Sequence, residues 1–273
     1  MFAPQGKVPL KARRALVIGG SGGIGRAVAE ALAARGASIV LHGGSSEARL
    51  QSALARLGGA GAAAKGFLQH VDESPGSIAR MVEAALAHEP VDFLVVAFGP
   101  FLRSSLSETS TEDWTRIAAL DLALPGALVS AFLPRMAARG WGRILLFGGT
   151  RTDVSRAFAS NAAYAAAKSG LGTLVKSVAA EGAAFGVACL AVCPGLVDTE
   201  YLDETQRERL RAVAPRGDLI DPASIAEAAL GLLCSEPCAA SGAIVTLDNG
   251  LDFGPLRAST PPPRDTVRDG PSR

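Results

Sequence analysis

The feature that most narrows what this chain can fold into is Gly19-Gly-Ser-Gly-Gly23-Ile-Gly25, because of what stands on either side of it. Arg14 to Ile18 is a short apolar run that reads as a strand, and Arg26 to Arg35 is an amphipathic run that reads as a helix. A strand that passes through a glycine turn directly into a helix is the start of a dinucleotide-binding unit. The glycines let the backbone approach a pyrophosphate, and the helix N-terminus offers unpaired N–H groups and the positive end of a dipole. Glycine turns alone are common, and the flanking elements give this one its meaning. The expected phosphate-contacting set is Gly19, Ser21, Gly22, Gly23, Ile24 and Gly25.

The alternation continues. Strands are expected at Ser38 to Leu41, Lys65 to Val71, Val91 to Ala97, Arg143 to Phe147, Val187 to Val192 and Ala243 to Leu247. Helices are expected at Glu47 to Leu57, Pro75 to His88, Thr111 to Arg139, Tyr164 to about Glu181, and Pro222 to Cys234. Pro125 predicts a kink or break near Leu122. Repeated βα units without a second core predict an α/β fold, a single doubly wound (Rossmann-type) domain over 14–254 with a mainly parallel sheet of about seven strands. Residues 1–13 read as a flexible arm and 255–273, rich in Pro, Arg and Ser, as a disordered tail. Thr199 to Arg216, polar and helical in pattern, follows the sixth strand's carboxyl end, where ligands of open α/β sheets sit, and is a candidate lid.

Composition removes several alternatives. With 27 basic and 26 acidic residues the net charge is +1, which calls for neither nucleic acid nor an anionic membrane. No uninterrupted apolar run approaches the ~20 residues that span a bilayer, and the segment before Arg14 lacks the apolar core of a secretory signal. A cytoplasmic protein is expected. Cys189 and Cys193, like Cys234 and Cys238, stand four apart, but the first pair lies in an apolar strand and the histidines are scattered, so no metal site is expected.

Chemistry concentrates in Tyr164-Ala-Ala-Ala-Lys168, which carries one of two tyrosines. Residues four apart on a helix share a face, so the phenol and the ammonium can meet in one space. A phenol of pKa near ~10 is a poor acid at neutral pH, and a fixed cation draws that value down. The pair can then protonate or deprotonate an oxygen. Near the second strand's end stand His42, Ser45 and Ser46, with no Asp or Glu to accept from an adenosine ribose 2′-hydroxyl. These three, with Arg26, suit a 2′-phosphate, which favours NADP(H) over NAD(H).

In order and at fitting intervals, five segments resemble the short-chain dehydrogenase/reductase family, in its ketoacyl-reductase-like branch. They are Gly19-x-x-x-Gly23-x-Gly25, Gly142-Arg143-Ile144, Tyr164-x-x-x-Lys168, Cys193-Pro194-Gly195 with Thr199 after it, and Val245 to Gly250. The likeness spans about residues 12 to 254. It implies that Tyr164 is the general acid/base for hydride transfer to a ketone or from an alcohol, with Lys168 also holding the nicotinamide ribose. It implies that Pro194, Gly195, Val197 and Thr199 lie against the nicotinamide half and Asp72 near the adenine. It further implies a small-molecule carbonyl or alcohol substrate and a homodimer or homotetramer.

Three departures from the family pattern stand out. The serine that holds the substrate carbonyl is matched by Gly149, leaving Thr150 or Thr152 as the available hydroxyl. The asparagine of the proton relay is matched by Asp121, a carboxylate able to hold a water or to pair with Lys168. Val96-Ala97-Phe98-Gly99 replaces two asparagines before Ala-Gly, although Gly99 still permits close approach to a cofactor. These departures leave two alternatives beside an oxidoreductase: a redox-silent NADP(H)-binding regulatory protein, and a non-redox lyase or isomerase on the same fold.

Overall fold

The computed structural model describes residues 6–7 and 10–251, so the tail expected at 255–273 lies outside the described residues. Seven strands, β1 (Arg14–Ile18), β2 (Ser38–Gly43), β3 (Ala64–Leu68), β4 (Phe93–Val96), β5 (Gly142–Phe147), β6 (Val187–Pro194) and β7 (Ile244–Leu247), form one sheet. Their order is β3-β2-β1-β4-β5-β6-β7, and every neighbouring pair is parallel.

Alternation along each strand divides the core into two layers. Val17, Leu145 and Leu190 face one way, toward α1 (Gly23–Ala34), α2 (Glu47–Gly59) and Leu230 of a later helix; Leu16, Ile18 and Leu146 face the other, toward α3 (Pro75–Leu86) and Phe132. The central strands are therefore apolar on both faces, as a parallel sheet covered twice must be. Truncating Phe132, which is fully buried, to Ala would cost about 3–5 kcal/mol.

The strand order reverses between β1 and β4, and a crevice opens there at the carboxyl ends. Gly19 makes that approach possible. Its φ is +76°, and a Cβ would lie 2.5 Å from the Ala97 carbonyl oxygen at the end of β4.

The long helix continues past Pro125 without breaking. It runs as α4 (Thr111–Ala118), a π-helical turn (Ala119–Ala123) and α5 (Leu124–Ala138). Pro125 has no N–H to give to the Asp121 carbonyl, and the Leu124 N–H reaches back five residues to the Ala119 oxygen. The expected kink is thus absorbed as a wide turn, with Asp121 inside it. By length and composition Thr111–Ala138 could cross a bilayer, but Leu124, Leu128 and Phe132 are wholly buried, so it is a core helix here. Three further α-helices stand among the described residues: α6 (Ala162–Gly182), α7 (Glu204–Val213) and α8 (Pro222–Leu233), whose Leu230 packs on the sheet. The segment expected to be a loose arm is tied down in part, since Gly6–Lys7 pairs antiparallel with Ser235–Glu236 and Leu10 is buried.

Candidate active site

The crevice has a volume of about 520 Å³, within the range of small-molecule sites. Gly19, Ser21, Gly22, Gly23 and Ile24 line one side, Gly99 the floor, and Tyr164 with Lys168 the far side. Gly25 is buried within α1 behind them.

Tyr164 and Lys168 stand one turn apart at the start of α6. That start is held in place by Ser104, whose N–H donates to the Ser160 carbonyl at 2.8 Å. The Lys168 ammonium lies 5.9 Å from the Tyr164 ring centroid, donates to the Phe147 carbonyl at 3.2 Å, and stands 3.0 Å from Asp121 Oδ1. Asp121 is fully buried, and a Cβ on Gly99 would overlap that same oxygen, so Gly99 makes the room for it. The contact is an ion pair, and it is the one polar partner the structure gives the Asp121 carboxylate among the described residues. The pairing of Asp121 with Lys168, expected if the carboxylate is buried, is present.

Burial, with this pairing behind it, runs against one expectation. The Tyr164 pKa lies above its ordinary value, pushed up by burial first, then by the Asp121 charge and by Cys193. The buried Asp121 carboxylate beside Lys168 offsets the ammonium's field at the phenol. Burial also raises the Asp121 pKa, with Lys168 opposing.

Gly149 faces the tyrosine. A Cβ there would lie 2.6 Å from Tyr164 Cε1 and 3.0 Å from the phenol oxygen, so the ring fills the space a serine side chain would need. Thr152 cannot take the serine's place. Its hydroxyl is buried beneath the loop, accepting from the Gly149 N–H at 2.8 Å and donating to the Gly149 carbonyl at 2.9 Å. Thr150 is half-buried and donates to the Gly195 carbonyl at 3.4 Å, a long and weak bond that a single side-chain rotation would release.

At the other end of the crevice, one sequence assignment needs correction. His42 was expected at a cofactor phosphate. It lies inside β2, fully buried, with Nδ1 accepting from the Gly19 N–H at 3.2 Å and Nε2 paired with the Gln69 carbonyl at 2.8 Å. That assigns the proton to Nε2, and burial lowers the ring's pKa. His42 therefore braces the glycine turn and does not reach into the crevice. Asp72 was expected near the adenine. Its Oδ1 accepts from the Ser74 N–H and hydroxyl at 2.9 and 2.5 Å, shaping the turn into α3, and these bonds lower its pKa.

Ser45 and Ser46 line the crevice as expected, Ser46 also capping α2. Sequence reading missed Arg49, which joins them on the rim. It stands inside a polar helix, where a charge reads as solvated, and only the fold turns it to the crevice.

Pro194 at the end of β6 and Thr199 after it line the crevice. Gly195 packs against the Asp248 backbone, and Val197 bridges to Ile220. The next residue was also missed: Glu200 Oε1 accepts from the Gly23 N–H at 3.0 Å and from Arg26 Nη1 at 3.1 Å. A carboxylate thus occupies the N-terminus of α1, which shows that the turn accepts an anion and fits a pyrophosphate.

A twisted parallel sheet, an anion-accepting glycine turn at its switch point, and a tyrosine beside a lysine in the same crevice define a dinucleotide-dependent oxidoreductase of the Rossmann type. A family model described as enoyl-(acyl carrier protein) reductase matches residues 19–252. The 3-oxoacyl-[acyl-carrier-protein] reductase of Escherichia coli (strain K12) is 34% identical over 241 residues, covering 87% of this chain and 96% of that protein. D-beta-hydroxybutyrate dehydrogenase of Rhizobium meliloti is 29% identical over 256 residues, covering 87% and 98%. A crystal structure of 3-oxoacyl (acyl-carrier-protein) reductase from Agrobacterium tumefaciens with NADP bound superposes with a TM-score of 0.79 at 31% identity, over 88% of this chain and 94% of that one. The chain belongs to the short-chain dehydrogenase/reductase family.

Proposed function

We propose that the protein is an NADP(H)-dependent oxidoreductase that reduces a ketone, or oxidises the matching secondary alcohol, with Tyr164 as general acid/base. The observation that carries this is the placement of Tyr164 and Lys168 across one crevice from the glycine turn. When bound there, a nicotinamide supplies the hydride that reduces a carbonyl carbon. Tyr164 gives its proton to the carbonyl oxygen as charge develops there. Burial raises the phenol's pKa, so it is protonated at neutral pH and gives the proton up only as charge develops on the carbonyl oxygen. Lys168, fixed by Phe147 and Asp121, orients the phenol and offers its remaining N–H groups to ribose hydroxyls. Thr150, once released from Gly195, is the hydroxyl proposed to hold the substrate oxygen.

NADP(H) is favoured at the adenosine end. Among the described residues that line the crevice there is no Asp or Glu beside Ser45 and Ser46, and Arg49 with these two serines offers a cation and two hydroxyls to a 2′-phosphate. The relatives' names point to 3-oxygenated acyl compounds as the first substrates to assay. A homodimer or homotetramer and a cytoplasmic location belong to the same reading, checked by sedimentation and by cell fractionation.

The test is NADPH consumption by the purified chain over a panel of 3-oxoacyl thioesters and simple ketones, with NADH alongside. Turnover with preference for NADPH is expected. Binding of NADPH without consumption across the panel would favour the redox-silent reading that Gly149 motivates.

A further inference from the structure

We infer that Glu200 and Tyr201 are a built-in occupant of the pyrophosphate site, so that dinucleotide binding is an exchange in which this pair leaves the glycine turn. The inference rests on the proposed NADP(H) site. Helix α1 begins at Gly22 with no side chain of its own to cap it, which leaves its first N–H groups to an outside acceptor. Glu200, 177 positions away, supplies that acceptor to Gly23 and neutralises Arg26 with the same oxygen. Tyr201 completes the cover. A Cβ on Gly22 would overlap its hydroxyl, and the Arg49 guanidinium lies 5.8 Å over its ring.

A diphosphate needs the Gly23 N–H that Glu200 holds, and two anions cannot accept from it together. The pair also occupies both cations of this rim, Arg26 and Arg49. Its flanks are fixed while its middle is not built into the core: the Asp198 N–H donates to the Ile220 carbonyl at 2.9 Å, Asp203 forms a capping box on α7, and Glu200 and Tyr201 are exposed between them. On exchange Glu200 moves to solvent, Arg26 is freed toward the phosphates, and Tyr201 gives up Gly22. Glu200 thereby lowers cofactor affinity while stabilising the cofactor-free turn.

The test is NADPH affinity, read by cofactor fluorescence, and thermal melting of the full chain and of Glu200→Ala, each with and without saturating NADPH. Inorganic pyrophosphate serves as a second probe. The expected result is that Glu200→Ala binds NADPH and pyrophosphate on the order of 5-fold tighter, a gain of the size that an exposed ion pair and a helix cap exert. It should also melt lower than the parent without cofactor, with the gap closing or reversing when NADPH is added. Unchanged or weaker binding in Glu200→Ala, beside a parent chain that binds NADPH, would overturn the inference and leave the proposed function standing. A parent chain that binds no NADPH would overturn both.

Discussion

Asp121 Oδ1 stands 3.0 Å from Lys168 Nζ, with the carboxylate fully buried and the lysine side chain 7% exposed. The contact sets a carboxylate charge beside the lysine that was expected to acidify the phenol, and offsets it. It exists because the π turn at Ala119–Ala123 sets Asp121 inward and because Gly99 has no side chain.

Asp121→Asn removes the second cause of the raised Tyr164 pKa and leaves burial, the first, in place. Oxidation of an alcohol needs the deprotonated phenol, so its activity rises with pH through the phenol's pKa. The pH profile of alcohol oxidation should therefore move toward lower pH in Asp121→Asn, while ketone reduction near neutral pH, which uses the protonated phenol, stays flat. A move toward higher pH would contradict the assignment.

Restoring the family's serine should harm this chain. In Gly149→Ser the new Cβ meets the Tyr164 ring, so the variant should lose about 1–3 kcal/mol of stability, the usual cost of overpacking, and lose activity as the ring shifts. Thr150→Val, by contrast, should keep its stability and lower kcat/KM by roughly 10- to 100-fold, the size of one lost hydrogen bond to a developing charge. Urea unfolding and steady-state kinetics on both variants check this.

His42 links the glycine turn to acid stability. Its folded pKa is depressed by burial, so the unfolded chain binds the proton more readily. The neutral ring's contribution is fully present above the unfolded value near ~6.5 and is lost as pH falls through the lower folded value. Parent stability should decline across that window, and His42→Asn should show a shallower decline from a lower starting point, by urea titration at a series of pH values.

How much of this was legible depended on how local each signal was. The glycine turn and Tyr164-x-x-x-Lys168 were legible because spacing along one turn or one helix face fixes which groups meet. The doubly wound sheet followed from the same local periodicity, repeated. Asp121 was half legible: its position was evident, but its burial against Lys168 depended on a π turn that Pro125 only hinted at. His42 was misplaced because β2 runs two residues beyond its apolar stretch, to Gly43, and this keeps the imidazole inside the sheet. Arg49 gave no signal, and Glu200 was legible only as part of the candidate lid Thr199 to Arg216, since each is an ordinary surface charge until the fold brings α2 and the segment after β6 over the glycine turn.

The central claim is that Tyr164 is the acid/base of an NADP(H)-linked carbonyl reduction, and the loss of NADPH absorbance with a 3-oxoacyl thioester tests it most directly in the parent chain and in Tyr164→Phe. Turnover in the parent, a drop of about 10²- to 10⁴-fold in kcat for the variant, and nearly equal NADPH affinity in the two are predicted. Full activity in Tyr164→Phe would contradict the account.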